Sequence, residues 1–283
     1  MKRVLITGAN SFLGDNTKKY LEKHGNYVVD ILDMLNDDWR EADFSQYDVV
    51  FNVCAIVHQP KIKDIDLYYK VNRDLAVEIA TKAKKEGVSQ FIQTSTNGVF
   101  GVEIGPMSDE NGYKPKTPYE KSKYEADCLL EKLRSNSFLV CIVRPPIMYG
   151  NGCKGNFPKL EHFALSFPFF PSRNNKRDMI FIENMCDFIL FAIEHELNET
   201  CYPRDNEPIS VPIMIKEIAK RNNKKMHLLS ILNPFVALVY KFSHKTRSIF
   251  GNNYCIMPIS VSNNTWEAPL SFEAALTKMY NKD

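Results

Sequence analysis

Short apolar runs punctuate the first half of the chain. They alternate with longer stretches whose apolar positions recur at three- and four-residue spacing. Arg3 to Thr7 reads as a buried strand and runs into Thr7-Gly8-Ala9-Asn10-Ser11-Phe12-Leu13-Gly14, then a helix to about Lys23. Gly25-Asn26 ends that helix, and Tyr27 to Leu32 is a second strand closing on Asp33. Asp48 to Val53 is a third strand and leads into Cys54-Ala55-Ile56-Val57-His58. Tyr68 to Glu86 is an amphipathic helix with Val71, Leu75, Ile79 and Ala83 on one face. Phe91 to Ser95 is a fourth strand, followed by Thr96-Asn97-Gly98. A helix starts after Pro118, with Tyr124, Ala126, Leu129, Leu130 and Leu133 at helical spacing. Phe138 to Val143 is a fifth strand. This alternation predicts an α/β fold with a doubly wound parallel sheet and right-handed crossovers. Beyond Gly150 it fades into Pro-rich turns, a helix at Glu183 to Glu196 and short pieces. Residues 151–283 are therefore expected to form a smaller lobe over the carboxyl ends of the strands of 1–150.

Strand, glycine turn, helix, strand and acid, in that order, make a dinucleotide-binding unit. Gly8 suits the tight turn, and Gly14 lets helix and strand approach. The helix N-terminus at Ser11-Phe12-Leu13 offers backbone N–H groups and a positive dipole end to a pyrophosphate. Ser11 stands where the usual pattern has its middle glycine. Its Cβ limits the approach of a phosphate, while its hydroxyl has a hydrogen bond to donate. Asp33 suits the ribose hydroxyls and repels a 2′-phosphate, which favours NAD over NADP; Asp30 is the rival for this role. Small residues at Cys54-Ala55 leave room for a ligand at the end of the third strand. His58 reads as a loop residue, and Asn72 as a tie between neighbouring backbone segments.

Tyr119 and Lys123 stand at i and i+4 at the start of their helix, on one face. A cation beside a phenol favours the ionised form and lowers its pKa, which would suit Tyr119 to proton transfer near neutral pH.

Composition narrows the partners. The 283 residues carry a net charge of +2, so no broad basic field argues for nucleic acid. The polar, glycine-bearing start is not that of a signal peptide, and no apolar run is long enough to span a bilayer, so no membrane partner is expected. The closest run, Leu228 to Phe242, is interrupted by Asn233-Pro234 and reads as a buried or lobe-covering helix. Seven scattered cysteines without a Cys-x-x-Cys pair favour free thiols, a reducing cytoplasmic setting and no structural metal.

Thr7–Gly14, Asp43-Phe44, Cys54-Ala55, Ser95-Thr96 with Val99-Phe100-Gly101, and Tyr119–Lys123 stand in one order along the chain. Together they resemble the extended short-chain dehydrogenase/reductase family, in its nucleotide-sugar epimerase/dehydratase branch. Arg144 to Gly150, Lys154 to Phe157 and Lys176 to Asn184 extend the likeness. The resemblance implies a Rossmann sheet over 1–150, a substrate-binding lobe over 151–283, and NAD as cofactor. It implies Tyr119 as acid/base, Lys123 on the nicotinamide ribose, and Thr96 on the reacting sugar oxygen with Asn97 beside it. Asp43 and Phe44 would border the adenine, and Thr94 and Pro145 would pass beside the cofactor. Asn156 and Arg177 would hold the nucleotide diphosphate, Asn156 being equally well read as a helix cap. The expected reaction is 4-epimerisation of a nucleotide sugar, a UDP-sugar first, through a 4-keto intermediate. Reduction of a 4-keto sugar is the alternative, and a non-catalytic dinucleotide-binding regulator ranks below both. A 4,6-dehydratase needs an acid pair after the threonine, where this chain has Asn97-Gly98. The helices at Tyr68–Glu86 and Tyr119–Leu133 match the pair through which the family commonly dimerises.

Overall fold

The structure, a computed structural model, describes residues 1–57, 64–102, 104–108, 110, 112–155, 157–259 and 265–280. His58 and Asn156 lie outside the described residues.

The first half follows the expected alternation. Strand β1 (Lys2–Thr7) leads into helix α1 (Phe12–Lys23), then β2 (Tyr27–Leu32) and β3 (Val49–Asn52). Residues expected as one long helix are α2 (Ile65–Tyr69) and α3 (Ala76–Lys85), joined by a π-helical stretch at Lys70–Leu75. Then come β4 (Gln90–Thr94), the short β5 (Gly105–Met107), α4 (Pro118–Glu131) and β6 (Leu139–Val143). The second half holds β7 (Ile147–Tyr149), α5 (Phe157–Ser166), β8 (Phe169–Pro171), β9 (Met179–Phe181), α6 (Ile182–Glu194) and β10 (Thr200–Cys201). It continues with α7 (Val211–Arg221), β11 (His227–Leu229), α8 (Asn233–Phe242), α9 (His244–Phe250), β12 (Asn253–Cys255) and α10 (Phe272–Tyr280).

One parallel sheet of six strands carries the fold, in the order β10-β6-β4-β3-β1-β2. Buried strands of this kind are apolar on both faces: Val49, Val50 and Phe51 are all essentially inaccessible. The chain turns outward to β2 on one side of β1 and to β3 on the other. That reversal opens a crevice at the carboxyl ends of β1 and β3, where open α/β sheets bind ligands. Between β2 and β3 the described chain makes a short 3₁₀ turn at Asp37–Arg40 in place of a further strand.

The sheet does not end at residue 150. β10 pairs with β6, and α6 packs against α1. The helix expected over Glu183–Glu196 thus covers the sheet, and the lobe is the material around it. Among the described residues two short parallel ladders tie the lobe to the first 150 residues, β7 with β9 and β5 with β12, and a third, β8 with β11, lies within the lobe.

Candidate active site

The glycine turn folds as its residues dictate. Gly8 adopts φ +109°, open to glycine and strained for other residues. A Cβ there would stand 3.1 Å from the backbone of Cys54, so glycine is what lets the ends of β1 and β3 close together. Asn10 takes the left-handed conformation at φ +59°. Ser11 is the N-cap of α1, and its hydroxyl accepts from the Gly14 N–H at 3.1 Å. Its hydroxyl hydrogen is still free to be donated. A Cβ on Gly14 would meet Ile6 and Val53, so the expected close approach of helix and strand is present. Phe12 and Leu13 open α1, with Leu13 buried.

Asp33 follows β2, exposed, its carboxylate accepting from the Leu35 N–H at 3.0 Å. It lies close enough to Cys54 to help burial raise that thiol's pKa. Asp30 is taken: it accepts from the Tyr47 hydroxyl at 2.9 Å and pairs with Arg3 at 3.5 Å. Asp43 is exposed and binds the Ser45 N–H and hydroxyl, which lowers its pKa. Phe44 is a core residue. Its ring is fully buried, with the Lys82 ammonium 5.0 Å above it, so the core holds the side chain.

The other side of the crevice is built by β4 and α4. Thr117 caps α4 in a reciprocal capping box with Glu120, and Pro118 sets the first turn. This fixes Tyr119 and Lys123 against the end of β4. Thr96 Oγ1 accepts from the Gly98 N–H at 3.1 Å, and its hydroxyl stands near that of Tyr119, whose pKa it lowers. Lys123, 1% exposed, donates to the Thr94 carbonyl at 2.8 Å. Asn97 donates its N–H to the Pro145 carbonyl at 3.1 Å, so the turn after β4 is tied to the chain after β6.

The electrostatics depart from the expectation that Lys123 lowers the Tyr119 pKa. Burial raises the phenol to about 12, the Thr96 hydrogen bond opposes this, and the carboxylate of Asp127 adds to it. Burial also depresses Lys123 to about 8, with Asp127 opposing. Desolvation is the largest cause at both groups.

Two networks were not read from the sequence. In the first, Thr7 donates to Asn52 at 2.7 Å, Asn52 to Gln93 at 2.8 Å, and Gln93 to the Thr94 carbonyl at 3.0 Å, the acceptor shared with Lys123. It links the glycine turn to the lysine across three strands. Its signal was polar residues near the ends of strands that are otherwise apolar. In the second, Asp127 is wholly buried and accepts from Ser95 at 2.7 Å and from Arg144 Nε at 2.9 Å. Arg144 also reaches the Tyr202 hydroxyl at 3.3 Å and lies 4.5 Å from the Tyr113 ring centroid. The missed signal was spacing: Asp127 stands four residues past Lys123 on the buried face of α4. Asn72 behaves as expected, donating to the Ile56 carbonyl at 3.0 Å and accepting from its N–H at 2.8 Å, with a third bond to Ser122.

Arg177 lies in the lobe. Its backbone bridges Ile209 and Asn253, and its half-buried guanidinium approaches the Gly251 carbonyl at 3.5 Å. Asp178, beside it, is buried with Arg204 at 3.8 Å, and burial pushes it up to about 6. Asn97, Arg144, Asp178, Tyr202 and Arg204 line a small depression between sheet and lobe.

Residues 4–202 match the model of the NAD dependent epimerase/dehydratase family. The chain belongs to that family. It is 31% identical over 246 residues to UDP-glucose 4-epimerase of Vibrio cholerae, spanning 77% of this chain and 75% of that one. It is 22% identical over 278 residues to the N-acetyl-α-D-glucosaminyl-diphospho-ditrans,octacis-undecaprenol 4-epimerase of Escherichia coli O157:H7, spanning 91% and 84%. UDP-glucuronic acid 4-epimerase of Bacillus cereus, solved with NAD, shares the fold with a TM-score of 0.75 at 20% identity, covering 98% and 95%. The family member described here is an NAD-dependent epimerase/oxidoreductase of the extended short-chain dehydrogenase type. Its crevice fits the dinucleotide. Glycine is needed where β1 meets Cys54, an N-terminal helix turn faces the gap, and the buried Thr94 hydroxyl has no partner among the described residues.

Proposed function

We propose that the protein is a 4-epimerase of nucleotide sugars, UDP-sugars first, acting through a 4-keto sugar. The observation that carries this reading is Tyr119 beside Thr96 at the start of α4, with the buried Lys123 one turn further along on the Thr94 carbonyl. Gly8 to Gly14, Asp33 and Thr94 would hold the cofactor, with Pro145 alongside. NAD, when bound, supplies a hydride acceptor and donor. Tyr119 takes the proton from the sugar hydroxyl as the carbonyl forms and returns it when the carbonyl is reduced. With the sugar bound, Thr96 gives its one hydroxyl hydrogen to the reacting oxygen in place of Tyr119. Asn97 borders the sugar, and Arg177 holds the diphosphate, a task suited to a guanidinium fork. Asn97-Gly98 after Thr96 supplies no acid pair, which argues against elimination of water.

A second reading has its own observation. Burial favours the neutral, proton-donating form of Tyr119, with a pKa of about 12. A neutral phenol suits the return half of the reaction, reduction of a 4-keto sugar made elsewhere. We also propose a homodimer through the paired α2–α3 and α4 helices, where Ile65 and Leu129 face outward; a monomer mass in light scattering at micromolar concentration would overturn it.

The deciding experiment incubates the protein with UDP-sugars and 4-keto sugars, with and without added NADH, and follows the products by NMR. A sugar carried on undecaprenyl diphosphate belongs in the panel, since the E. coli relative is named for one. Interconversion of 4-epimers without added NADH supports the epimerase. Turnover of keto sugars alone, with NADH consumed, moves the assignment to the reductase.

A further inference from the structure

Helix α8 presents an inverted surface. An ordinary surface helix buries an apolar stripe and turns charges outward. In and just before α8, the outward positions are Ile231, Pro234, Phe235, Leu238, Lys241 and Phe242, all apolar but one. Ile231 is 81% exposed, Phe235 67%, Leu238 59% and Phe242 82%. Within the helix only Val236 is buried. The spacing of 231, 235, 238 and 242 keeps these side chains on one face. The sequence reading expected a buried or lobe-covering helix here. The structure instead leaves its large apolar groups in water, a sign of an interaction surface.

Charge identifies the partner. Residues 218–266 contain seven Lys and Arg and no Asp or Glu, whereas the rest of the chain carries 29 basic against 34 acidic residues. One of those cations, Lys241, stands on the apolar face, and Arg173 flanks it from before the stretch. Lys241 is exposed on the face. Arg173 lies 4.9 Å over the Tyr240 ring on the flank of the helix. Arg247 donates to the Lys241 carbonyl at 3.2 Å. An apolar strip flanked by Lys241 and Arg173, in a stretch of sequence that holds no Asp or Glu, suits a surface that is anionic outside and hydrocarbon beneath. A second copy of this chain would bring the same cations against themselves.

We propose that α8 is an interfacial anchor that seats the lobe on an anionic lipid bilayer. Phe235, Leu238 and Phe242 enter the headgroup–acyl boundary, and Lys241 and Arg173 rest on lipid phosphates. The site is peripheral: among the described residues no helix is long and apolar enough to cross a membrane. The proposal does not depend on which sugar is turned over.

The test is co-sedimentation of the full-length protein with vesicles of phosphatidylcholine alone or with phosphatidylglycerol. Binding is expected to the anionic vesicles and at least tenfold weaker to the neutral ones, and it should weaken in 0.5 M salt. The double variant Phe235→Ser, Phe242→Ser should lower binding by on the order of tenfold or more while NAD affinity and the circular dichroism spectrum stay unchanged. Lys241→Glu, which alters one exposed group, should weaken binding a few-fold and keeps the test open should the double variant misfold. No binding to anionic vesicles at low salt overturns the proposal, as does binding that neither variant alters. Concentration-dependent self-association abolished by Phe235→Ser would give the face to a second copy and overturn it as well.

Discussion

The sheet and the lobe dispose of their apolar residues in opposite ways. In β3, Val49, Val50 and Phe51 are sealed on both faces, because the right-handed crossovers lay helices on each side of a parallel sheet. In the lobe the ladders are two strands wide, and α8 covers its surroundings with one buried valine while Phe242 stands in water. The difference shows where each half obtains its order. The sheet is covered by helices on both faces and holds the proposed catalytic groups in a fixed frame. The lobe, built of narrow ladders and single helices, leaves surface for something outside the chain to cover.

The sharpest break between the two regions should come from the frame. Tyr119→Phe removes the ionisable oxygen beside Thr96, and kcat should fall by about 10²–10⁴-fold with NAD affinity retained. A near-normal rate in single-turnover kinetics would take the acid/base role from Tyr119.

Asp127→Asn tests whether the frame depends on its buried ion pair. The change leaves Arg144 without its anion in a site with almost no solvent. Stability should drop by roughly 3–5 kcal/mol, read by urea unfolding. A loss below about 1 kcal/mol would mean that Tyr202 and water satisfy the guanidinium.

In the lobe the expected effect is smaller and falls on binding. Arg177→Ala should raise KM about 10–100-fold and leave saturated kcat within a few-fold, since contacts to the diphosphate would be alike in ground and transition states. A lower melting temperature with unaltered KM would place Arg177 in lobe packing, beside Gly251 and Tyr240.

The smallest effect runs in the opposite direction. Lys123 has its folded-state pKa depressed to about 8 from 10.5, so its charge opposes folding at neutral pH. The unfolded chain binds the extra proton between those values, and stability from this group rises with pH across that window. Lys123→Met should therefore stabilise the protein by roughly 1–3 kcal/mol at pH 7, measured without added NAD, while activity is lost. The gain should shrink as pH climbs from about 8 toward 10.5. A destabilised variant at pH 7 would show that the Thr94 hydrogen bond outweighs the burial of the ammonium.

The sequence by itself determined what periodicity and local chemistry can write. The strands β1 to β4 and β6 lie within a residue or two of their expected places, because an apolar run between breakers has few other ways to be buried. Gly8, Ser11 and Gly14 were legible as a turn into a helix, since φ, capping and close approach are settled within a few residues. Tyr119 and Lys123 were legible as a pair because helix geometry alone sets their spacing. Tertiary structure decided the rest, where a residue's meaning depends on distant neighbours. Phe44 went to the core because Lys82 and the sheet enclose it, and Asp127 became the anchor of Arg144 because β4 and β6 bring Ser95 and that guanidinium to one point. β10 joined a sheet that the sequence had seemed to finish at residue 150. The pKa order of Tyr119 and Lys123 followed from burial, which no local pattern records. The outward face of α8 was equally invisible: helical spacing marks one stripe as apolar, and only packing decides whether that stripe is covered.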